Sequence, residues 1–151
     1  MISVRERAMN FLSYREHSRY ELHCKLARHD YNSEDIEQAL QLLQEENLQC
    51  DVRFAESYVT SKSESGYGPR YITQQLQQRR VNASVIAEAI RVIDCWQVII
   101  KRIWHKKYDV SMTSLTDQAK QRRYLLSRGF EPEHVSDWMK NGIPTSIEKE
   151  Y

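Results

Sequence analysis

Between Lys101 and Arg128 the chain carries Lys101, Arg102, Lys106, Lys107, Lys120, Arg122, Arg123 and Arg128 against only Asp109 and Asp117, a local balance of +6. Trp104, Tyr108 and Tyr124 lie among these cations. Interleaved cations and rings can meet phosphates or carboxylates, stack on bases, or cover a partner's apolar patch. The same run also fits a solvated helix face, and the sequence leaves both open. A second cationic feature is the pair Arg70-Tyr71, which follows Gly66-Tyr67-Gly68-Pro69 and has a counterpart in Arg19-Tyr20. The glycines could present backbone N–H groups to an anion, but the stretch lacks the Walker spacing and its lysine, so it reads as a helix connection. The candidate partner contacts are therefore Arg19, Lys25, Arg70, Tyr71, Lys101, Arg102, Lys106, Lys107, Arg122 and Arg123.

Chemistry beyond binding finds little support. Cys24, Cys50 and Cys95 are odd in number and far apart, which fits free, mostly buried thiols better than a disulfide framework or a zinc ribbon. His17, His23, His29, His105 and His134 include no i, i+4 pair. Glu45, Glu46 and Asp51 have no His or Lys at a diagnostic spacing and read as solvated acids. No catalytic residue, metal or cofactor is expected.

Net charge is +1, from 22 Lys and Arg against 21 Asp and Glu, which argues against a general polycation that coats nucleic acid. The average hides a gradient: residues 1–50 sum to −3, 51–100 to +1 and 101–151 to +3. A chain of 151 residues suits one domain or a few small units sharing a core. Only 4 Gly and 3 Pro are too few for the turns of a sandwich or barrel, so the elements that position the cations must be helices. The charged N-terminus and the lack of a long apolar run predict no signal peptide, no membrane span and a cytoplasmic location.

These helices repeat. Shifting the stretch Ser18 to Leu40 by fifty residues places Leu22 on Ile72, Leu26 on Leu76, Tyr31 on Val81, Ile36 on Ile86, Ala39 on Ala89 and Leu40 on Ile90. A further shift of about fifty reaches Leu125, Phe130, Val135, Trp138 and Met139, with Gln121 as the exception in place of Leu22 and Ile72. The punctuation repeats as well. Ser18 with Glu21 forms a capping box, Gly68-Pro69 and Asp117 stand in its place, and Asn32, Asn82 and Glu131-Pro132 start the next helix. Asp30, Arg80 and Gly129 are expected to close the middle helix in a left-handed conformation.

A helix precedes each pair, with apolar faces Ala8, Phe11, Leu12; Phe54, Ala55, Tyr58, Val59; and Val98, Ile99, Ile103, Trp104. Phe11, Phe54, Tyr58, Trp96, Phe130 and Trp138 are expected in the core. The predicted fold is all-α, with three tandem three-helix repeats at 1–48, 49–94 and 95–142, the last with a basic first half, and a C-terminal tail at 143–151. Stacked in a row, such modules predict an elongated, curved molecule.

Four stretches resemble the RecX family of recombination regulators. They are Arg15-Glu16-His17-Ser18-Arg19-Tyr20-Glu21-Leu22-His23-Cys24-Lys25-Leu26, Cys50-Asp51-Val52-Arg53-Phe54-Ala55, Gly66-Tyr67-Gly68-Pro69-Arg70-Tyr71-Ile72-Thr73-Gln74-Gln75-Leu76, and Arg123-Tyr124-Leu125-Leu126-Ser127-Arg128-Gly129-Phe130. The resemblance covers nearly the whole chain. Cys50 stands where the family usually has the first of two aspartates, and Asp30 and Arg80 where it often has Gly. The resemblance implies a non-enzymatic, cytoplasmic, monomeric protein that binds the RecA recombinase filament on single-stranded DNA and restrains its ATPase, strand-exchange and co-protease activities. The alternative is a direct DNA-binding module of helix-turn-helix type, and weak contact with single- or double-stranded DNA is compatible with either.

Overall fold

The computed structural model describes residues 1–144; the expected tail lies outside the described residues from residue 145 onward. The described residues are helical, in the order α1 (Val4–Tyr14), α2 (Arg19–Ala27), α3 (Ser33–Glu45), α4 (Asp51–Glu64), α5 (Pro69–Gln78), α6 (Ala83–Ile90), α7 (Trp96–Lys107), α8 (Leu115–Ser127), α9 (Pro132–Asp137), and a π-helical turn, Trp138–Gly142. No strand occurs among them, so the all-α fold is as the composition predicts. No helix among the described residues is long and apolar enough to cross a membrane.

Helix starts follow the polar punctuation. The Ser18 hydroxyl accepts from the Glu21 N–H at 3.0 Å and the Glu21 carboxylate accepts from the Ser18 N–H at 3.1 Å, completing the capping box. The Asn32 and Asn82 side chains accept from the N–H groups of Glu34 and Ser84. In the third triplet the start differs from expectation. Ser114 caps α8, accepting from the Asp117 N–H at 3.1 Å, and Asp117 sits inside the first turn, where its charge complements the helix dipole.

The helix ends divide by chemistry. Asn47, Gly66, Arg80 and Gly129 all have positive φ. Each closes a helix with a paired bond: for Arg80, Val81 N–H donates to Leu76 O and Arg80 N–H to Gln77 O; for Gly129, Phe130 N–H donates to Leu125 O and Gly129 N–H to Leu126 O. This Schellman geometry satisfies carbonyls that have no partner in the helix. Arg80 adopts it at φ 56° despite its Cβ. Asp30, expected to be left-handed, is not among these residues. There α2 tightens instead, with Arg28 N–H on Lys25 O and His29 N–H on Leu26 O, and such short i to i−3 bonds end the helix without a left-handed residue.

The chain divides into two compact units, residues 1–59 with 75–90, and 60–74 with 91 onward. In the first, α1, α2 and α3 pack around Val4, Ala8, Leu22, Leu26, Ile36, Leu40 and Leu43, with Phe11, Leu12, Tyr31 and Ala39 against them. Ile36, Leu40 and Leu43 lie at spacings of four and three, one stripe of α3, and each fully buried aliphatic side chain contributes about 1.5–3 kcal/mol. In the second unit Trp96, Ile99, Ile100, Ile103 and Trp104 of α7 are buried, as are Leu125, Phe130, Val135 and Trp138. Val98, assigned to the apolar face, is 65% exposed; the buried stripe runs through Ile99, Ile100 and Ile103 instead. Phe11 and Tyr58 are half-buried rather than core, and the thiols are less enclosed than expected: Cys24 and Cys50 are half-buried and Cys95 is exposed.

The exception in the repeat has a physical explanation. Gln121 is 1% exposed at the place of Leu22 and Ile72. Its Oε1 accepts from Trp104 Nε1 at 2.9 Å and its Nε2 donates to Met112 O at 2.7 Å, so no buried amide atom is left unpaired.

Candidate functional site

In the second unit, two arginines finish α4. Arg102 donates to the carbonyls of Ser63 and Glu64 at 2.9 and 3.0 Å, and Arg128 to those of Ser65 and Gly66 at 2.6 and 3.1 Å. Positive charge at a helix C-terminus meets the negative end of its dipole and the carbonyls it leaves open. Arg102 therefore has a structural task, and Arg128 is held in place.

Around the pinned Arg128 runs a ladder of rings and cations. Tyr71 stacks on Tyr67 with centroids 4.1 Å apart and planes inclined by 18°. The Arg128 guanidinium lies 3.8 Å from the Tyr67 centroid and 6.0 Å from that of Tyr124. Lys107 Nζ sits 3.7 Å from the Tyr124 centroid and 5.8 Å from that of Tyr108, and Tyr108 meets Tyr124 edge-on at 6.0 Å. The four tyrosines and Arg128 are half-buried and Lys107 is exposed. Burial first, then the neighbouring Tyr124, raises the Tyr108 phenol above its ordinary value, so it stays neutral. Beside the ladder is a groove of about 480 Å³ lined by Arg70, Tyr71, Gln74, Leu126, Ser127 and Gly129. Arg70 is exposed at its edge.

From Gly66 to Arg70 every backbone N–H is engaged. Gly68 N–H donates to Arg128 O at 2.8 Å and Arg70 N–H to Gly129 O at 2.9 Å. A Cβ on Gly68 would lie 2.4 Å from the Gly129 carbonyl carbon and the Phe130 nitrogen, so only glycine permits this approach. The groove thus meets a partner with side chains. Flat π faces beside fixed and exposed cations suit an anionic, base-bearing or aromatic partner. No group of three or more His, Cys, Asp or Glu placed to hold a metal occurs among the described residues.

The remaining candidates separate. Lys101, Lys106 and Arg123 are exposed, and Arg122 is exposed with a bond to Ser136 Oγ at 3.0 Å. Trp104, set beside Tyr108 and Tyr124 as a stacking ring, is 1% exposed and belongs to the core.

In the first unit, Arg19 turns onto α3, bonded to Glu37 at 2.9 Å, Gln44 at 2.6 Å and Gln41 at 3.2 Å. The hydrogen bond from Arg19, then its charge and that of His23, hold the Glu37 carboxyl below the usual range despite some burial. Lys25 also turns inward: its Nζ is 2.8 Å from His17 Nε2 and 5.0 Å from the Phe11 centroid. His17 Nδ1 bonds the Arg15 carbonyl at 3.0 Å, leaving Nε2 to accept from the ammonium.

Several positions carry more than the sequence showed. Tyr67, Tyr108, Tyr124 and Arg128 complete the ladder, and the only signal was basic residues interleaved with tyrosines. Asp51, read as a solvated acid, accepts at Oδ1 from Arg19 N–H at 2.9 Å and from Gln49 Nε2 at 2.9 Å, joining α4 to the start of α2. Glu46 pairs with Arg5, and Glu45 accepts from Gln41.

Residues 5–43 match the family model described as RecX, first three-helix domain, and residues 51–90 match RecX, second three-helix domain. The chain is 38% identical over 140 residues to regulatory protein RecX of Pseudomonas fluorescens strain SBW25, covering 90% of this chain and 89% of that protein. It is 34% identical over 139 residues to regulatory protein RecX of Mannheimia succiniciproducens, covering 89% and 91%. The fold is similar to a crystal structure of RecX from Lactobacillus salivarius, with TM-score 0.74 at 23% identity over 91% of this chain and 92% of that one. A second crystal structure, titled regulatory protein RecX, matches with TM-score 0.76 over 91% and 70%.

Proposed function

The chain belongs to the RecX family of regulatory proteins, and on that premise we propose that it binds the RecA filament on single-stranded DNA and inhibits its ATPase, strand-exchange and co-protease activities. It acts in the cytoplasm as a monomer, without catalysing a reaction and without a cofactor. The observation that supports this most directly is the ladder from Tyr71 to Tyr108 with Arg70 at its groove, since a nucleoprotein filament offers both acidic protein surface and phosphates. Repeats at 1–48, 49–94 and 95–142 would let one molecule engage successive protomers, and linked weak contacts gain strength from effective concentration.

The test is the single-stranded-DNA-dependent ATPase of RecA, titrated with this protein at fixed DNA. Inhibition well below the amount needed to cover the DNA is expected; no inhibition at any ratio overturns the proposal. Replacing Lys101, Lys106 and Lys107 by Glu is expected to weaken inhibition by roughly tenfold or more with the circular dichroism unchanged. Arg102 is excluded from that set because it caps α4. The exposed cations and half-exposed rings also favour a second reading, direct DNA binding. A DNA binder loses affinity linearly in log salt with a slope set by the phosphates it neutralises, and it does so without RecA.

A further inference from the structure

A second cleft lies in the first unit and shares no residue with the ladder. It measures about 270 Å³ and is lined by Tyr20, Glu21, Cys24, Lys25, Arg28, Gln78 and Arg79. Three of these are cations and one is a carboxylate. That carboxylate is fully engaged: Glu21 accepts from Arg15 at 3.0 and 3.2 Å and from the Ser18 N–H at 3.1 Å, and Arg79 Nε lies 3.5 Å away. Burial opposes its ionisation, but the Arg15 bonds, the Ser18 N–H and the Arg15 and His17 charges hold its pKa below the usual value. The direct charged contacts of Glu21 go to Arg15 and Arg79, and none reaches Lys25 or Arg28.

Lys25 and Arg28 are left over. The Lys25 ammonium has a neutral acceptor, His17 Nε2, and makes no ion pair among the described residues. Arg28, the exposed C-cap of α2, makes none either. Burial first, then the like charges of Arg15 and Arg28, press the Lys25 pKa below its ordinary value, and the Glu21 charge offsets them only in part. An arriving anion would relieve this.

We infer that this cleft receives an acidic side chain of the protein partner, an Asp or Glu carboxylate held between Lys25 and Arg28. A protein carboxylate is favoured over a nucleic-acid backbone by the surrounding charge. Residues 1–50 sum to −3, and Glu21 stands in the wall, so a polyanion is repelled where a single carboxylate is not. Tyr20, the one ring in the lining, already has Arg80 over its face at 4.3 Å, so no stacking platform is offered to bases. The identity of that partner as RecA rests on the function proposed above; the cleft's preference for a carboxylate does not.

The test uses the full chain at pH 7.5, with the His17 ring signals in NMR as reporter, because Nε2 lies 2.8 Å from the Lys25 ammonium. The probes are the capped peptide acetyl-Gly-Asp-Gly-Glu-Gly-amide and a thymidine pentanucleotide. A saturable shift in the millimolar range with the peptide, none with the oligonucleotide, and loss of the shift in Arg28→Glu are expected. Arg28 has no side-chain partner to lose among the described residues, so this variant keeps its fold. No saturable shift, an equal response to the oligonucleotide, or a shift retained in Arg28→Glu overturns the inference. In the RecA ATPase assay, Arg28→Glu is expected to inhibit roughly 3- to 10-fold less well than the parent. If the parent inhibits and Arg28→Glu inhibits equally, the cleft has no part and the proposed function stands. If the parent does not inhibit, the proposed function falls and the peptide titration alone decides the cleft.

Discussion

Arg19-Tyr20 and Arg70-Tyr71 both lie in the first turn of the middle helix of successive repeats, one position apart in register, and their side chains have opposite fates. Arg19 is bonded to Glu37, Gln41 and Gln44, and Tyr20 lies under Arg80. Arg70 is exposed at a groove, and Tyr71 stacks on Tyr67 at the head of a ladder of cations and rings. The helix starts differ in kind too. The α2 start is satisfied by side chains, with Ser18 and Glu21 in a capping box and Asp51 on the Arg19 N–H. The α5 start is satisfied by backbone, with the carbonyls of Arg128 and Gly129 on Gly68 and Arg70. Repetition has preserved the geometry of the helix pair while the surface chemistry diverged, because buried positions constrain shape and exposed ones do not.

The largest expected effect breaks the backbone version of the helix start. Gly68→Ala forces a Cβ against the Gly129 and Phe130 backbone, and overpacking of this kind costs about 1–3 kcal/mol. Ser18→Ala, at the equivalent place in the first repeat, removes a cap and costs about 1 kcal/mol. Urea unfolding midpoints compare the two. A smaller loss for Gly68→Ala than for Ser18→Ala would mean that the Gly129 loop gives way, and the contrast between the two starts would fail.

What the sequence revealed follows the same division. Helix starts and core positions were legible because they depend on local residue type: Ser18, Asn32 and Asn82 cap as expected, and Leu22, Leu26, Ile72, Leu76 and Leu125 are buried. Ser114 was missed in favour of Asp117 since either residue type suits a helix start. The site was only partly legible. Basic residues among tyrosines announced a surface, but whether an arginine reaches solvent depends on carbonyls and carboxylates distant in sequence. Arg102 reads as a binding residue and instead caps α4; Arg128 reads only as one of a run of cations and instead bridges to Gly66 and Tyr67. Gln121 looked like a lapse in the repeat until its partners Trp104 and Met112 were in place.

The next effect is a pH dependence confined to the α2 start. His17 is 1% exposed, and burial first, then the charges of Arg15 and Lys25, hold its pKa below the ordinary 6.5 against the opposing bond to the Arg15 carbonyl and the charge of Glu21. Glu21 is likewise held below 4.5. In both cases the unfolded chain binds the proton more readily, so stability is complete above the ordinary pKa and falls as acid protonates the unfolded state. Loss should begin as pH drops below 6.5 through His17, and a second loss should begin below 4.5 through Glu21. His17→Gln should abolish the first phase and keep the second. Chemical denaturation at pH 7, 5.5 and 4 measures both, and an unchanged first phase in that variant would assign it to another group.

The smallest effect sharpens the comparison at the other end of the same helices. Arg80 and Gly129 occupy equivalent positions and both are left-handed, at φ 56° and 95°. A residue with a Cβ is disfavoured there by about 1–2 kcal/mol relative to glycine. Arg80 recovers part of this by lying 4.3 Å from the Tyr20 centroid, a contact contributing about 0.5–1 kcal/mol at an exposed site. Arg80→Gly relieves the first term and removes the second, so the net change is expected to be a stabilisation within about 1 kcal/mol. Tyr20→Leu alone should destabilise, and in the Arg80→Gly background that cost should shrink, since a double-mutant cycle isolates the pair. An unchanged cost would show that Tyr20 acts through packing, and that Arg80 holds its left-handed turn by the Leu76 and Gln77 carbonyl bonds without help from the ring.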